Sequence, residues 1–312
     1  MLVVDRAGGR WEDGKFRELP QFLRSGDCLV INDTRVVPSR LYGRKDGYAR
    51  EVEVFLLEPQ NPGRTLWTAL VRPGRHLHEG ARVEISERLR VEILETRVRG
   101  ERLVRVECEG DLDEEIERIG HVPLPPYIHR PDAAGDRERY QTVYAQKRGS
   151  SAAPTAGLHF TPEVLEACRA AGAEIAPVTL HVGLGTFQPL TSETVEENRL
   201  HTERFEISPE TAAKLGAAHR RIAVGTTVTR TLESAALNGG FSARTGETDL
   251  FIYPGYRFRA VDALLTNFHL PKSSLLLLVC AFGGKDLMLA AYRHAVEQRY
   301  RFFSYGDCML IL

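Results

Sequence analysis

"RIAVGTTVTRTLESAA" (221–236) places an apolar run before a glycine, then a segment with helical spacing. A strand that ends at Gly225 and feeds a helix starting at Thr226 is the building unit of an α/β sheet. The same alternation continues on either side. Thr161 and Ser208 are followed by Pro162 and Pro209, the N-cap and first-turn signature of two more helices. Gly172 follows the last turn of the first of these. "IAPVTLHV" (175–182), "DLFIYP" (249–254) and "CMLIL" (308–312) read as strands, and "LMLAAYRHAVEQRY" (287–300) as a helix.

Toward the N-terminus the pattern changes. "EVEVFLLE", "LWTALV", "ARVEIS", "LRVEIL" and "ERLVRVE" are short β-rich segments between Glu51 and Glu107, separated by Pro, Gly and Asn. No amphipathic helix interrupts them, which indicates a small all-β barrel or sandwich. An acidic helix in "DLDEEIERIG" and a proline-rich connector, "HVPLPPYIHRP" (121–131), follow. We therefore expect a discontinuous α/β main domain (1–45 and 123–312) with an all-β barrel domain (46–122) inserted into it.

The chain has 312 residues, 43% hydrophobic and 27% charged, with a net charge of −1. That composition suits a globular protein and gives no global attraction to polyanions, so a nucleic acid would have to meet a local arginine cluster. Five widely spaced cysteines without a C-x-x-C pair read as reduced thiols in a cytoplasmic protein. The apolar run "LLLLVCAF" (275–282) is too short to span a bilayer and reads as a buried strand or helix segment.

Three histidines sit beside glycines or prolines: His159 in "PTAGLHFTPE", His181 in "TLHVGLGTF" and His269 in "LTNFHLP". Each reads as a core imidazole or as an acid or base. "HVGLGTFQP" lacks the third glycine of a dinucleotide loop. Thr226 and Thr227 stand where free N–H groups and the helix dipole favour an anion. Arg230 and Glu233 share a helix face and read as partners for each other. Histidine spacing supports no metal site. Arg35, Arg40, Arg72 and Arg75 lie in two arginine clusters suited to phosphate.

"INDTRVVPSRLYGRK", "ERYQTVYAQKRGSSAAPTAGLHFT", "LHVGLGTFQPL", "AVGTTVTRTLESAA", "LLTNFHLPKSSLLLLVCAF" and "YRFFSYGDCMLI" together resemble the S-adenosylmethionine:tRNA ribosyltransferase-isomerases of queuosine biosynthesis, in order over nearly the whole chain. The resemblance implies transfer and isomerisation of the ribosyl group of S-adenosylmethionine onto 7-aminomethyl-7-deazaguanine at the tRNA wobble position. The product is epoxyqueuosine-tRNA, and adenine and methionine leave. It implies no permanently bound cofactor, no metal, no membrane, and a monomer that meets tRNA and S-adenosylmethionine.

Groups titrating near neutrality suit this chemistry, so His159 and His269, then His181, are the expected acid or base. Asp249 and Glu233 are the expected carboxylates. Phe160, Gly183, Gly185, Phe187, Thr226, Thr227, Arg230 and Asn267 are expected at the substrate, and Arg35, Arg40, Arg72 and Arg75 at the tRNA. Members of the family carry a leader ahead of the strand matching "LVVDR", where this sequence opens. The resemblance thus implies either a misplaced start or a shorter protein with altered edge packing and groove. On the residues alone, a metal-assisted hydrolase and a non-catalytic RNA-binding module stay open as alternatives.

Overall fold

The computed structural model describes residues 1–312 apart from Pro126, 184–189, Thr191, Glu193, 238–239 and the side chain of Arg99. Along the chain run β1 (Leu2–Asp5), β2 (Arg10–Asp13), β3 (Asp27–Asn32) and β4 (Thr34–Val36). Next come β5 (Arg40–Lys45), β6 (Glu51–Pro59), β7 (Leu66–Arg72), β8 (Arg82–Glu84), β9 (Leu89–Thr96) and β10 (Arg102–Cys108). Helices α1 (Leu112–Ile119) and α2 (Asp136–Arg139) follow, then β11 (Lys147–Ser150), α3 (Pro162–Ala170), β12 (Glu174–Leu180) and β13 (Glu203–Ile207). The remainder is α4 (Pro209–Ala217), β14 (Arg220–Val224), α5 (Thr226–Leu237), β15 (Arg244–Thr248), β16 (Ala263–Asn267), α6 (Ser274–Gly283), α7 (Lys285–Glu297) and β17 (Cys308–Ile311).

Two compact units result, Met1–Arg35 with Gln141–Leu312, and Val36–Tyr140. The second is wider than the 46–122 expected. Strand β5 ladders onto β6 and β8, so it belongs to the barrel rather than to the main domain. The barrel closes in the order β10-β7-β6-β5-β8-β9. Alternation explains it: Trp67, Ala69 and Val71 of β7 and Leu89, Val91 and Ile93 of β9 point inward, while their neighbours face out.

The first unit carries a nine-stranded sheet, ordered β15-β13-β12-β3-β14-β16-β17-β1-β2 among the described residues. Strands β12, β3, β14 and β16 run parallel to one another. Every residue of β3 and of β16 is buried, as expected for strands covered on both faces. Helix α5 is buried from Thr226 through Ala235. Thr229 and Thr231 satisfy their hydroxyls on the carbonyls of Gly225 and Thr227, both at 3.1 Å, so these threonines enter the core without orphaned donors.

Thr161 and Ser208 cap α3 and α4 by accepting from the N–H groups of Val164 and Thr211. "LLLLVCAF" lies in α6. "DLFIYP" forms no strand. Its Ile252 is buried in the core without laddering, and the edge strand is instead the polar β15 just upstream. Among the described residues no single helix is long and apolar enough to cross a membrane.

Candidate active site on the carboxyl edge

A parallel sheet presents the carboxyl ends of its strands on one edge, where open α/β folds bind ligands. Here that edge is made by the residues that end β3, β12, β14 and β16. Asn32 closes β3 onto β12: its Nδ2 donates to the Leu180 carbonyl at 2.9 Å, and its Oδ1 accepts from the Leu180 and Thr34 N–H groups, both at 3.1 Å. Asp33 accepts from Thr179 Oγ1 at 2.7 Å, and burial pushes its carboxyl up from the ordinary range.

His181 follows β12. Its Nδ1 is 2.8 Å from Thr34 Oγ1, and burial depresses its pKa. Room for the ring comes from Gly149, at φ +142°, where a Cβ would stand 2.9 Å from Cε1. The imidazole opens on a cavity of about 380 Å³ lined also by Thr179, Arg204, Glu206, Thr245 and Glu247. Gly183 donates to Glu203 Oε1 at 3.4 Å. Gly185 and Phe187 lie outside the described residues.

His269 and His159 gather at the end of β16. Thr266 Oγ1 is 2.8 Å from His269 Nε2, and the His269 N–H donates to the Tyr292 hydroxyl at 3.0 Å. Asn267 Nδ2 is 3.3 Å from His159 Nε2 and 3.1 Å from the Phe303 carbonyl. Burial holds both imidazoles down at about 4, so each is neutral at physiological pH. Three strand spacings separate β12 from β16, about 14 Å, so His181 and the β16 pair meet different parts of anything lying along the edge. Gly225, at φ +97°, turns β14 into α5 and sets the buried Thr226 and Thr227 at the helix N-terminus on this edge. Asp249 follows β15, whose register with β13 brings it to the same edge, and it is exposed.

Four expected site residues are engaged otherwise. Glu233 lies at the opposite, amino edge. Its carboxylate accepts from the N–H groups of Arg259, Ala260 and Val261 at 2.9–3.2 Å and from the Tyr256 hydroxyl at 3.1 Å, clasping the segment that enters β16. Arg230 does not pair with it. It forms a buried ion pair with Glu203, NH2 to Oε2 at 2.5 Å. Phe160 is core, edge-on to Phe16 with ring centroids 4.9 Å apart. Arg40 lies over the Phe55 ring, 3.7 Å from Glu53 and 3.5 Å from the Leu124 carbonyl, which withdraws it from any phosphate role.

Arg35 is exposed. Arg72 and Arg75 are exposed near one end of β7, where His76 packs on Tyr48 at 4.5 Å between centroids. Residues that the sequence reading passed over include Thr34, Gly149, Glu203, Glu206, Thr266 and Phe303. Their partners are remote in sequence, so no local spacing announces them. Among the described residues, no group of three or more His, Cys, Asp or Glu side chains is placed to hold a metal ion.

A mixed sheet with a parallel centre and partnered imidazoles along the carboxyl edge of that centre defines an α/β protein of the open-sheet class, joined to a closed six-stranded barrel. The sequence matches the family described as queuosine biosynthesis protein over residues 1–311. It is 59% identical to the S-adenosylmethionine:tRNA ribosyltransferase-isomerase of Solibacter usitatus and 52% identical to that of Heliobacterium modesticaldum, covering 100% of this chain and 92% of each relative. The crystal structure of S-adenosylmethionine tRNA ribosyltransferase from Thermotoga maritima is similar with a TM-score of 0.54 at 37% identity, over 100% of this chain and 91% of that one. The chain belongs to the queuosine biosynthesis protein family, in which its relatives are ribosyltransferase-isomerases, and it is an enzyme of that transferase and isomerase type.

Proposed function

We propose that the carboxyl-edge site transfers the ribosyl group of S-adenosylmethionine to the aminomethyl group of 7-aminomethyl-7-deazaguanine at the wobble position of tRNA. The sugar rearranges to the epoxycyclopentane of epoxyqueuosine, and adenine and methionine depart. The observation that carries this reading is the placement of His159, His181 and His269 along one carboxyl edge of the sheet, each within hydrogen-bond distance of a hydroxyl or amide at the start of β4 or the end of β16.

The positive sulfur of the donor acidifies the ribose 5′-carbon, so the first need is a proton acceptor. His181 lines a cavity built from described residues, with Glu206 beside it to favour a nearby cation. On this reading His181 takes the base role. Adenine is a poor leaving group without a hydrogen-bond donor. His159 and His269, held neutral by burial, suit N–H donation to the departing base or a nascent oxyanion rather than proton delivery as imidazolium. The N-terminal N–H groups of α5 at Thr226 and Thr227 suit the donor's carboxylate. Asp249, exposed at the same edge, remains a second carboxylate for the sulfonium. Arg35, Arg72 and Arg75 supply phosphate contacts to the tRNA. The chain acts as a monomer in the cytoplasm and needs no resident metal or cofactor.

The test is incubation with S-adenosylmethionine and tRNA bearing the aminomethyl-deazaguanine, followed by nucleoside mass spectrometry. Epoxyqueuosine with equimolar adenine and methionine is expected. Adenine release without a modified nucleoside, or no reaction, contradicts the proposal.

A further inference from the structure

Asn267 ends β16 as a fully buried amide whose orientation is decidable. Its Nδ2 lies 3.1 Å from the Phe303 carbonyl, which can only accept. Turning the amide over would set two oxygens against each other at that distance. The amide keeps this orientation although its Oδ1 finds no hydrogen-bond partner among the described residues. The same Nδ2 faces His159 Nε2 at 3.3 Å. A nitrogen that faces a donor must carry its lone pair, so the ring proton of a neutral His159 sits on Nδ1.

We propose that Asn267 is a positioning residue that fixes His159 in the Nδ1–H tautomer, leaving Nδ1–H as the ring's donor toward the reacting groups. This rests on the ribosyl-transfer reading above. It also reassigns Asn267, expected at the substrate, to a role exerted through His159. The arrangement is unlike those of the other two imidazoles. A threonine hydroxyl donates or accepts, so Thr34 and Thr266 leave the tautomers of His181 and His269 open. The amide leaves none open.

The surroundings agree with a neutral ring. Phe16 stands 5.3 Å from it between centroids, and the nearby charges are Asp307, which favours protonation, and Arg301 and the N-terminal ammonium, which oppose it. Arg301 NH2 and Asp307 Oδ1 are paired at 3.0 Å, so their effects on the ring largely offset. Loop 301–307 therefore contributes chiefly the Phe303 carbonyl that orients the amide.

The experiment is nitrogen-15 NMR of the full-length protein labelled at histidine, with the His159 signals assigned by their loss in His159→Gln. The wild type is expected to show a protonated Nδ1 and a bare Nε2. Asn267→Asp replaces the donor by an acceptor, so the ring should move to Nε2–H. With tRNA and S-adenosylmethionine, its kcat should then fall about 10²-fold with KM held. Should that variant fail to fold, Asn267→Ala serves, and its tautomer should likewise leave Nδ1–H. A wild-type ring protonated on Nε2, or a tautomer indifferent to either substitution, overturns the proposal. If the tautomer responds as expected while the wild type makes no epoxyqueuosine, the ribosyl-transfer reading fails and the structural lock stands.

Discussion

Replacing Glu233 by glutamine should cost stability and leave chemistry intact. The carboxylate serves four donors, the N–H groups of Arg259, Ala260 and Val261 and the Tyr256 hydroxyl. Glutamine keeps one oxygen, which can retain the Ala260 and Val261 bonds as neutral ones. Its NH₂ meets the Arg259 N–H as a second donor, while the Tyr256 hydroxyl can turn and accept. A hydrogen bond to a charged group contributes about 1.5–3 kcal/mol and a neutral one about 0.5–1.5. Weakening three, the Tyr256 bond among them, and losing one therefore costs roughly 5–7 kcal/mol. For a unit of this size each kcal/mol moves Tm by about 2–4 °C, giving a drop on the order of 10–20 °C. Thermal melts by circular dichroism read the first number. Single-turnover adenine release, measured well below the lowered Tm, reads the second and should match wild type. An unchanged Tm with a rate reduced 10²-fold or more would refute this reasoning and return Glu233 to the reacting groups.

Arg230→Met removes one partner of a buried ion pair with Glu203 and should cost about 3–5 kcal/mol in chemical denaturation. Adding Glu203→Leu should recover most of that loss. Because burial lowers the folded pKa of His159 and His269 to about 4, the unfolded chain takes up these two protons first as pH falls. Stability is thus whole above about pH 7 and is lost progressively between about 6.5 and 4, each ring costing about 1.4 kcal/mol for every pH unit crossed. Tm recorded across that window should fall less steeply in His159→Gln and His269→Gln. Arg72→Ala and Arg75→Ala should each flatten the dependence of log K for tRNA on log salt by about one unit. Arg40→Ala should leave that slope alone and lower Tm, since Arg40 is held by Glu53, Phe55 and the Leu124 carbonyl.

What the sequence made legible is what local chemistry decides. Caps at Thr161 and Ser208, prolines in the first turn, and the glycine between β14 and α5 act within a few residues of themselves, so their elements fall where expected. The barrel strands are equally readable because inward and outward positions alternate. Strand β15, "RTGET", escaped because an edge strand half open to water needs no apolar run, whereas Ile252 is buried without a ladder. Polar β5 likewise carries no apolar run to mark its unit: its membership is settled by its partners, β6 and β8. At the site, the histidines were visible as residues but their states were not. Those depend on pairs such as Thr34 with His181 and Asn267 with His159, which are 147 and 108 positions apart. The reach of Glu233 to 259–261 is similarly remote, so one turn of helix wrongly suggested Arg230 as its partner.

Single-turnover formation of epoxyqueuosine-tRNA by His159→Gln, His181→Gln and His269→Gln, each with its fold verified, bears on the carboxyl-edge site most directly. Losses of about 10²-fold or more in all three are predicted. Near wild-type rates in all three would mean that the reaction takes place elsewhere on the molecule.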